Sequence, residues 1–353
     1  MASLINAIDL FCGAGGLSCG LSEAGINVVA GIDNDERCRF PYERNLGAKF
    51  LCASVRDLTS KQLFELWGNS KFRLLAGCAP CQPFSSQRKG IAANSHESWN
   101  LLDDFSRLIS ETLPDFVTME NVSPLRHQPI FERFLGCLRA ENYHVDFDVI
   151  KTERYGLPQQ RRRLVLIASR IGVVKIPAPT IEKGKEISVS QALQGLPSLE
   201  QGSSCPDDPL HKARSLSPVN QARICASKPG GTWQDWPQEL LANCHKRSSG
   251  KTFKSFYGIM DGDKPSPTIT TQFYNFGSGR FGHPTQKRTI TPREAAILQG
   301  FPKSYEFLPP NEPVHFSIVG KMIGNAVPPV IGKIVGSEFI RQGLNQLGVA
   351  RHE

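Results

Sequence analysis

The chain has 353 residues, of which 40% are hydrophobic and 8% aromatic, so it can bury a large core and has the composition of a globular enzyme. It contains no run of eighteen apolar residues and no basic-then-apolar leader, so neither a membrane span nor a secretion signal is expected. Ten irregularly spaced cysteines favour reduced thiols in a cytosol, and a net charge of +8 favours a polyanionic partner.

The N-terminal part begins with an apolar strand, predicted over residues 6–11, that runs into a glycine-rich turn over 12–17 and a helix to Ala24. In this arrangement the backbone can approach a nucleotide-like ligand closely. The match to the dinucleotide fingerprint is incomplete, because Ser18 stands where a third glycine or alanine is expected. A tight structural turn is therefore an equal alternative.

A second predicted strand, 28–32, ends at Asp33. An acidic residue about 20 positions past the glycines holds a ribose diol in nucleotide-binding folds. The structural alternative is that it only caps a helix that begins near Asp35. Together with the glycine turn, Asp33 predicts a cofactor that contains adenosine.

An apolar strand over 72–76 ends in the proline-braced turn 77–85, GCAPCQPFS. Such a turn lies at the carboxyl edge of a sheet, where open α/β folds bind ligands. Cys81 is therefore a candidate nucleophile, because a thiolate near positive charge or helix amides is reactive. Cys78 is predicted to be a small buried residue. A redox pair or half a zinc site is the alternative, but the sequence offers no second ligand pair, and no metal site is predicted.

Further α/β alternation is predicted as helices over 98–113 and 129–140 and strands over 116–119, 143–150 and 164–168. Glu120 finishes one of these strands and would share a sheet edge with Cys81. A carboxylate there is costly unless it has partners or a chemical role, and a structural salt bridge is the alternative. Arg161 and Arg163 precede the last strand and are predicted to face one side of it, with Arg162 on the other.

The composition changes from Lys175 to Arg288, which is rich in Pro, Gly, Ser and Lys with scattered aromatics, and predicts a smaller, loop-rich domain. Basic residues interleaved with aromatic and amide side chains suit phosphates and base edges, although an irregular insertion has the same composition. Regular order returns where Thr291 caps a helix and Glu294 completes a capping box. A C-terminal helix to Leu347 follows.

These stretches, in this order, resemble the cytosine-5 DNA methyltransferase family over nearly the whole chain. The matching pieces are DLFCGAGG at 9–16, Asp33, PCQPFS at 80–85, ENV at 120–122, QxRxR at 159–163, TPRE at 291–294 with LQGFP at 298–302, and GNAVP at 324–328. The resemblance implies an α/β fold with a Rossmann-like S-adenosylmethionine-dependent methyltransferase sheet. It also implies a catalytic and cofactor-binding domain over 1–180, completed by 312–353, and a small target-recognition domain over 181–311.

The resemblance implies S-adenosylmethionine as methyl donor and S-adenosylhomocysteine as product. The implied cofactor-binding residues are Phe11, Gly13, Ala14, Gly15, Gly16, Leu17, Asp33, Asn34, Ser54, Pro80 and Asn325. Among them, Asp33 would hold the ribose, and Asn325 would lie near the methionine end. Family members often carry an acidic residue for the adenine amino group at the place where this sequence has Ser54, three residues before Asp57.

The implied reaction is methyl transfer to carbon 5 of a cytosine in double-stranded DNA. The base would be flipped into a cleft between the two domains, because its carbon 6 is unreachable inside a duplex. Cys81 would add to carbon 6, Glu120 would serve ring nitrogen 3, and Arg163, with Arg161 beside it, would hold the 2-oxo group and Glu120. The predicted DNA-binding residues are Ser85, Gln87 and Arg88 in a loop that closes over the base, and Thr268, Gln272, Tyr274, Asn275 and Arg280 in the recognition region.

The first motif begins nine residues into the chain, which predicts a stand-alone bacterial or phage enzyme. We expect a monomer in the cytoplasm that is associated with the nucleoid through DNA, and the resemblance allows a cognate restriction endonuclease as a further partner. One alternative is a tRNA cytosine-5 methyltransferase, whose Cys-Phe-Thr element this sequence lacks. The others are a catalytically silent binding protein and a thiol oxidoreductase that uses Cys78.

Overall fold

The computed structural model describes residues 3–80, 96–247 and 255–349. The chain divides into two compact units. The sheet unit comprises Met1–Thr152, Arg162–Pro179 and Ala326–Glu353, and the second unit comprises Glu153–Arg161 and Thr180–Asn325. Compared with the predicted small domain, 181–311, the second unit also takes in residues 153–161, residue 180 and residues 312–325.

The sheet unit is built on one seven-stranded sheet. Its strands are β1 (Ile5–Leu10), β2 (Asn27–Asp33), β3 (Lys49–Cys52), β4 (Phe72–Gly77), β5 (Phe116–Val122), β6 (His144–Lys151) and β7 (Arg162–Ser169). They lie in the order β3-β2-β1-β4-β5-β7-β6. Pairing is parallel from β3 to β5, whereas β7 runs antiparallel to both β5 and β6. This mostly parallel sheet confirms the predicted α/β fold class.

The strand order places a topological switch between β1 and β4, because the chain moves outward from β1 through β2 to β3 and then returns to the other side of β1. In open α/β sheets, ligands bind at such a point, outside the carboxyl ends of the strands. The turns that follow β1 and β4 are the two stretches in which the sequence places its glycine-rich motif and Cys81. Both strands are buried nearly throughout, which suits parallel strands inside a layered fold.

Six helices accompany the sheet in the part of this unit that the structure describes: α1 (Gly16–Glu23), α2 (Arg39–Leu46), α3 (Ser60–Trp67), α4 (His96–Thr112), α5 (Pro129–Ala140) and α10 (Pro329–Gln346). Helices α1 and α10 cross at glycines. A Cβ on Gly20 would lie 1.8 Å from the Pro329 carbonyl oxygen, and one on Gly332 would lie 2.2 Å from that of Leu17. The two backbones therefore touch without intervening side chains.

The second unit has little regular structure. Its elements are α6 (Val189–Ala192), β8 (Ser204–Cys205), β9 (Asp208–Lys212), α7 (Pro218–Ala226), α8 (Pro292–Leu298) and α9 (Phe316–Asn325). The capping box predicted at Thr291 is confirmed, with the Glu294 carboxylate also paired to the fully buried guanidinium of Arg288 at 2.7 and 2.8 Å.

The stretch Phe316–Gln346 is long and apolar enough to cross a membrane, but 67% of its apolar window is buried inside the protein, as in a core helix.

The aromatic residues of the second unit form a core of their own. Trp233 and Trp236 are each 6% exposed and pack with Phe276, Tyr257 and His245. The sequence predicts that aromatics in this region suit contacts with base edges. These particular rings instead pack into an apolar cluster in the interior of this loop-rich unit.

Candidate active site

The turn after β1 has the backbone geometry that its glycines allow. Gly13 and Gly15 have φ angles of +51° and +87°, and Phe11 adopts the left-handed region at +58°. Glycine enters that region at no steric cost, whereas Phe11 does so with strain that the surrounding packing must offset. A Cβ on Gly13 would meet no atom within 4 Å, so the space in front of this turn is open.

Asp33, the last residue of β2, is tied to this turn. Its Oδ2 accepts a hydrogen bond from the Gly13 amide at 2.9 Å, and its Oδ1 accepts one from the Asp35 amide at 2.9 Å. The cap of the short helix that follows is Asp35, whose side chain accepts from the Arg37 amide. Helix capping therefore does not account for Asp33. Each of its oxygens has a second lone pair with which to accept from a ligand hydroxyl.

Helix α1 begins at Gly16 with Gly15 as its N-cap, and no side chain caps this end. Uncapped first-turn amides and the helix dipole favour a negatively charged ligand group such as a carboxylate. The open glycine turn, the Asp33 acceptor and this helix end together fit a cofactor that has a nucleoside and an amino-acid end.

Behind the turn lies a buried acid that sequence inspection treats only as part of a motif. Asp9 is 1% exposed, and its Oδ2 accepts a hydrogen bond from Ser18 Oγ at 2.6 Å, while that hydroxyl lies 2.8 Å from Tyr42 Oη. Burial raises the pKa of Asp9 to about 7, and the nearby charge of Asp33 adds to the increase. Asp9 is therefore able to exchange a proton near neutral pH.

The other predicted cofactor residues lie at separate places. Ser54 is half-buried after β3 and accepts from the Arg56 amide at 3.3 Å, so it caps a short helix. Asn34 and Pro80 are exposed at the ends of β2 and β4. Ala14 and Leu17 are buried in the glycine turn and α1. Asn325 is the exposed last residue of α9, in the second unit.

Glu120 lies on β5 as a buried carboxylate with two partners. It is 4% exposed, and its Oε1 is 2.8 Å from Nε of Arg163 on β7. Its Oε2 is 2.9 Å from Sγ of Cys78, the residue that follows β4. The contact with Cys78 is a hydrogen bond, whereas the Arg163 guanidinium pairs with Oε1 by charge and makes no hydrogen bond to it. This pairing lowers the cost of burying the charge.

A hydrogen bond joins the turn that leads to Cys81 to β5, the strand that carries Glu120. Asn121 Nδ2 donates to the Ala79 carbonyl at 3.0 Å, and the Cys78 amide donates to the Leu10 carbonyl at 3.3 Å. Cys81 itself lies outside the described residues, as do Ser85, Gln87, Arg88 and the loop predicted to close over the base. The last described residue before it, Pro80, is two positions beyond the contact with Glu120.

Two other thiols of the sheet unit are poor nucleophiles. Burial raises the pKa of Cys19 and of Cys38 to about 12. Both therefore stay protonated at neutral pH, and the thiolate is the reactive form. Among the residues that the structure describes, no group of three or more His, Cys, Asp or Glu side chains could hold a metal ion.

Arg161 and Arg163 have different surroundings although they are two residues apart. Arg163 opens β7 beside Arg162 and contacts Glu120. Arg161 precedes the strand, is 5% exposed and donates through Nη1 to the Ile269 carbonyl at 3.3 Å within the second unit. The geometry supports a direct role for Arg163 at Glu120. For Arg161 it supports a structural role, because its guanidinium bonds to the backbone of Ile269, next to Thr268.

The predicted recognition residues fall into two groups. Thr268 is half-buried and donates to the Gln160 carbonyl at 2.8 Å, and Tyr274 is 8% exposed and packs against Phe273 and Phe316. These contacts favour a packing role for Tyr274. The more accessible members are Gln272, which is exposed, Asn275, which contacts Arg214, and Arg280, which lies over Gly258.

The contacts of Cys78, Asn121 and Asp9 are the features of this site that sequence reasoning missed. The ENV motif draws attention to Glu120 rather than to Asn121, and the spacing of Cys78 and Cys81 suggests a redox pair. The place of Cys78 in the sequence could have identified its contact, because Cys78 directly follows a strand whose end was predicted to share a sheet edge with Glu120.

The chain is similar to known proteins over nearly its whole length. A family model described as C-5 cytosine-specific DNA methylase matches residues 5–341. The type II methylase M.HgiDII of Herpetosiphon aurantiacus is 44% identical over 344 residues, 96% of each chain. The type II methyltransferase M1.BsuMI of Bacillus subtilis (strain 168) is 30% identical over 364 residues, covering 96% of this chain and 81% of that one. A solved structure described as a prophage-encoded DNA modification methyltransferase (E. coli) has a TM-score of 0.74 at 23% identity, covers 97% of this chain and 99% of its own, and shows the same fold.

Proposed function

The chain belongs to the C-5 cytosine-specific DNA methylase family and is therefore a DNA (cytosine-5-)-methyltransferase, and on that premise we propose that it methylates an extrahelical cytosine through a covalent adduct with Cys81. The methyl donor in this proposal is S-adenosylmethionine. The observation that carries this proposal is the Glu120 carboxyl, which is buried at the carboxyl edge of the sheet and contacts Arg163 and Cys78. Cys78 lies three residues before the proposed nucleophile, Cys81.

The residues of the chain supply acid and nucleophile to the two sides of the ring. Cys81 provides a thiolate whose sulfur bonds to carbon 6 while Glu120 donates a proton to ring nitrogen 3, so that electron density moves to carbon 5. S-adenosylmethionine, when bound, supplies the sulfonium methyl that carbon 5 takes up. Water then takes up the carbon 5 proton, the bond between carbon 6 and sulfur breaks to release the Cys81 thiolate, and Glu120 recovers its proton from nitrogen 3.

Arg163 balances the charge of Glu120 during this cycle. Its guanidinium, with Nε 2.8 Å from Oε1, offsets the negative charge of the carboxylate whenever the proton is on the base. For the cofactor, the Asp33 carboxylate and the uncapped start of α1 would hold the ribose and the amino-acid carboxylate. The open space before Gly13 supports close approach of the ligand to the backbone.

A covalent trap on DNA tests the chemistry. The full chain, mixed with cofactor and a duplex that contains 5-fluorocytosine, should form an adduct that resists denaturant, because fluorine at carbon 5 cannot be removed as a proton. Cys81→Ser should form no adduct, whereas Cys225→Ser, which changes an exposed thiol of the second unit, should match the parent protein. An adduct with Cys81→Ser contradicts the mechanism, and so does a parent protein that forms none while it methylates DNA.

The substrate and biological role are part of the same proposal. We assign double-stranded DNA as substrate, a monomer as the acting form and the bacterial cytoplasm, at the nucleoid, as its place. We also propose that it is the modification enzyme of a restriction-modification system, on the basis of its similarity to type II methylases. Transfer of tritiated methyl groups to DNA and not to tRNA supports the DNA substrate, and the reverse result supports the tRNA alternative. Bisulfite sequencing of DNA from cells that express the chain should show one methylated word throughout.

A further inference from the structure

Cys78 makes a contact that the methyl-transfer chemistry does not itself require. Its Sγ lies 2.9 Å from Glu120 Oε2, while Arg163 Nε holds Oε1 of the same carboxyl at 2.8 Å. We propose that Cys78 is a positioning residue whose thiol fixes the orientation of Glu120. The inference rests on the proposed function of Glu120 and adds to it a second residue that prepares the acid.

The backbone around Cys78 is fixed on both sides. Its amide donates to the Leu10 carbonyl at 3.3 Å, and the carbonyl of the next residue, Ala79, accepts from Asn121 at 3.0 Å. The first of these contacts comes from β1 and the second from β5. The thiol is therefore attached to a stretch of backbone that has little freedom to move relative to Glu120.

The two contacts of the carboxyl differ in kind, because Cys78 donates a directional hydrogen bond to Oε2 whereas Arg163 pairs with Oε1 by charge without a hydrogen bond. An ion pair of that kind leaves the carboxyl able to rotate, and the hydrogen bond from Cys78 restricts that rotation. Glu120 is 4% exposed, so water is not at hand to replace a missing partner. The hydrogen bond from Cys78 therefore sets the plane of the carboxyl before the base arrives.

A thiol suits this role because it is a weak donor. A second strong donor such as a guanidinium would hold Glu120 firmly as a carboxylate and oppose the protonated form that the reaction needs. The S–H group orients the carboxyl as a donor to Oε2 and stabilises the ionised form only weakly. Cys78 thereby positions the acid while opposing its protonation less than a second guanidinium would.

The test measures adduct formation with 5-fluorocytosine DNA in single turnovers of the full chain. Cys78→Ala should slow adduct formation about tenfold, the size expected for a misoriented acid that still reaches its target. Cys78→Ser, which restores a donor at the same place, should recover to within about threefold of the parent protein. Affinity for the unmodified duplex should stay the same in both variants.

Cys137→Ala is the matched control, because Cys137 is also a partly buried thiol, on α5, with its Sγ 3.7 Å from the Ser106 carbonyl. It should lose no adduct rate. Should Cys78→Ala unfold at a lower temperature than this control, Cys78→Val, which refills the space of the thiol but donates nothing, takes its place and should be equally slow. A rate equal to the parent protein in the donor-free variant overturns the inference, and so does a serine variant as slow as the alanine one.

Two further variants separate this inference from the proposed function. If Cys81→Ser forms the adduct, the proposed function itself fails. If Cys81→Ser abolishes the adduct and Glu120→Gln slows it while Cys78→Ala does not, the function stands and only the positioning role of Cys78 is rejected.

Discussion

Arg163 and Glu120 are diagonal neighbours on the antiparallel pair β5–β7, with Nε and Oε1 2.8 Å apart. Arg163 lies directly opposite Val122, and Glu120 is two residues before Val122 on the same face. A diagonal separation of this kind is within reach of a long side chain. The antiparallel insertion of β7 beside β5 is therefore what brings a guanidinium to the carboxyl at the sheet edge.

Removing this guanidinium should damage both stability and catalysis. Arg163→Ala removes the ion-pair partner of the Glu120 carboxylate, which is only 4% exposed. The loss should lower the free energy of unfolding by roughly 1–3 kcal/mol. Methyl transfer should fall by about 100-fold or more, because the acid loses its orientation and its charge balance. Denaturant unfolding and single-turnover methyl transfer to DNA measure the two effects.

Arg133→Ala is the control for this prediction, since Arg133 forms an ion pair with Asp103 in which both side chains are about half exposed. It should change the unfolding free energy by less than about 0.5 kcal/mol and leave methyl transfer intact. Equal effects of the two arginine variants would show that the contact with Glu120 has no special role.

The sequence locates elements well where one apolar run makes one element. The helix predicted over 129–140 is observed as Pro129–Ala140, and the strand predicted over 72–76 as Phe72–Gly77. Strand β3 was not predicted as a segment, because it has only four residues and one of them, Phe50, is buried. So short a pattern carries no period that distinguishes a strand from a loop.

Contacts between distant residues were beyond prediction for a different reason. Cys78 and Glu120 are 42 positions apart, and their contact depends on the register of β4 against β5, which no local spacing contains. Composition likewise cannot tell a buried aromatic from a surface one where periodicity is absent. Trp233 and Trp236 accordingly looked like candidates for nucleic-acid contacts but lie in the core of the second unit.

The crossing of α1 and α10 should not tolerate a side chain. A Cβ on Gly20 or Gly332 would lie within 2.2 Å of a main-chain carbonyl oxygen, and neither backbone can yield without separating the helices. Gly332→Ala should therefore lower the free energy of unfolding by about 1–3 kcal/mol, despite the better helix propensity of alanine. Thermal and denaturant unfolding of the purified variant measure this.

Gly136→Ala on α5 provides the opposite expectation with the same substitution. A Cβ there would meet nothing within 4 Å, so only the propensity gain remains, and the variant should be more stable by roughly 0.5–1 kcal/mol. If both alanine variants shift stability in the same direction, close approach of the helices is not what requires Gly332.

Asp9 should make stability depend on pH in a defined direction. Its pKa is raised by burial to about 7, whereas an unfolded aspartate titrates near about 3.9. Between these values the folded state binds more protons, so the contribution of Asp9 is fully present below about pH 4 and is lost as pH rises through 7. The loss should approach about 1.4 kcal/mol per pH unit within that window.

The comparison of the parent protein with Asp9→Asn isolates this term. Asp33 acts on Asp9 as a charge from β2, and Ser18 and Tyr42 face it from α1 and α2. Other groups titrate in the same range, notably His283, whose pKa burial lowers to about 4, but both proteins share them. The difference in unfolding free energy, parent minus variant, should fall from pH 4.5 to pH 7.5. Parallel curves would show that Asp9 does not titrate in this window.

Gln159 should hold two segments of the second unit together. Its fully buried amide donates through Nε2 to the Leu298 carbonyl at 3.0 Å and to Gln299 Oε1 at 2.8 Å, and its Oε1 accepts from the Ile269 amide at 3.1 Å. Gln159→Ala should destabilise the protein by about 1–3 kcal/mol, because buried donors and acceptors lose their partners. Amide hydrogen exchange at Ile269 should accelerate, since that N–H loses Gln159 Oε1 as its acceptor. Gln160→Ala is the matched control, because the neighbouring Gln160 side chain is exposed and the Gln160 backbone makes the bonds to Ser266 and Thr268. It should leave both quantities unchanged within about 0.5 kcal/mol, and unaltered exchange at Ile269 in Gln159→Ala would contradict the role assigned to Gln159.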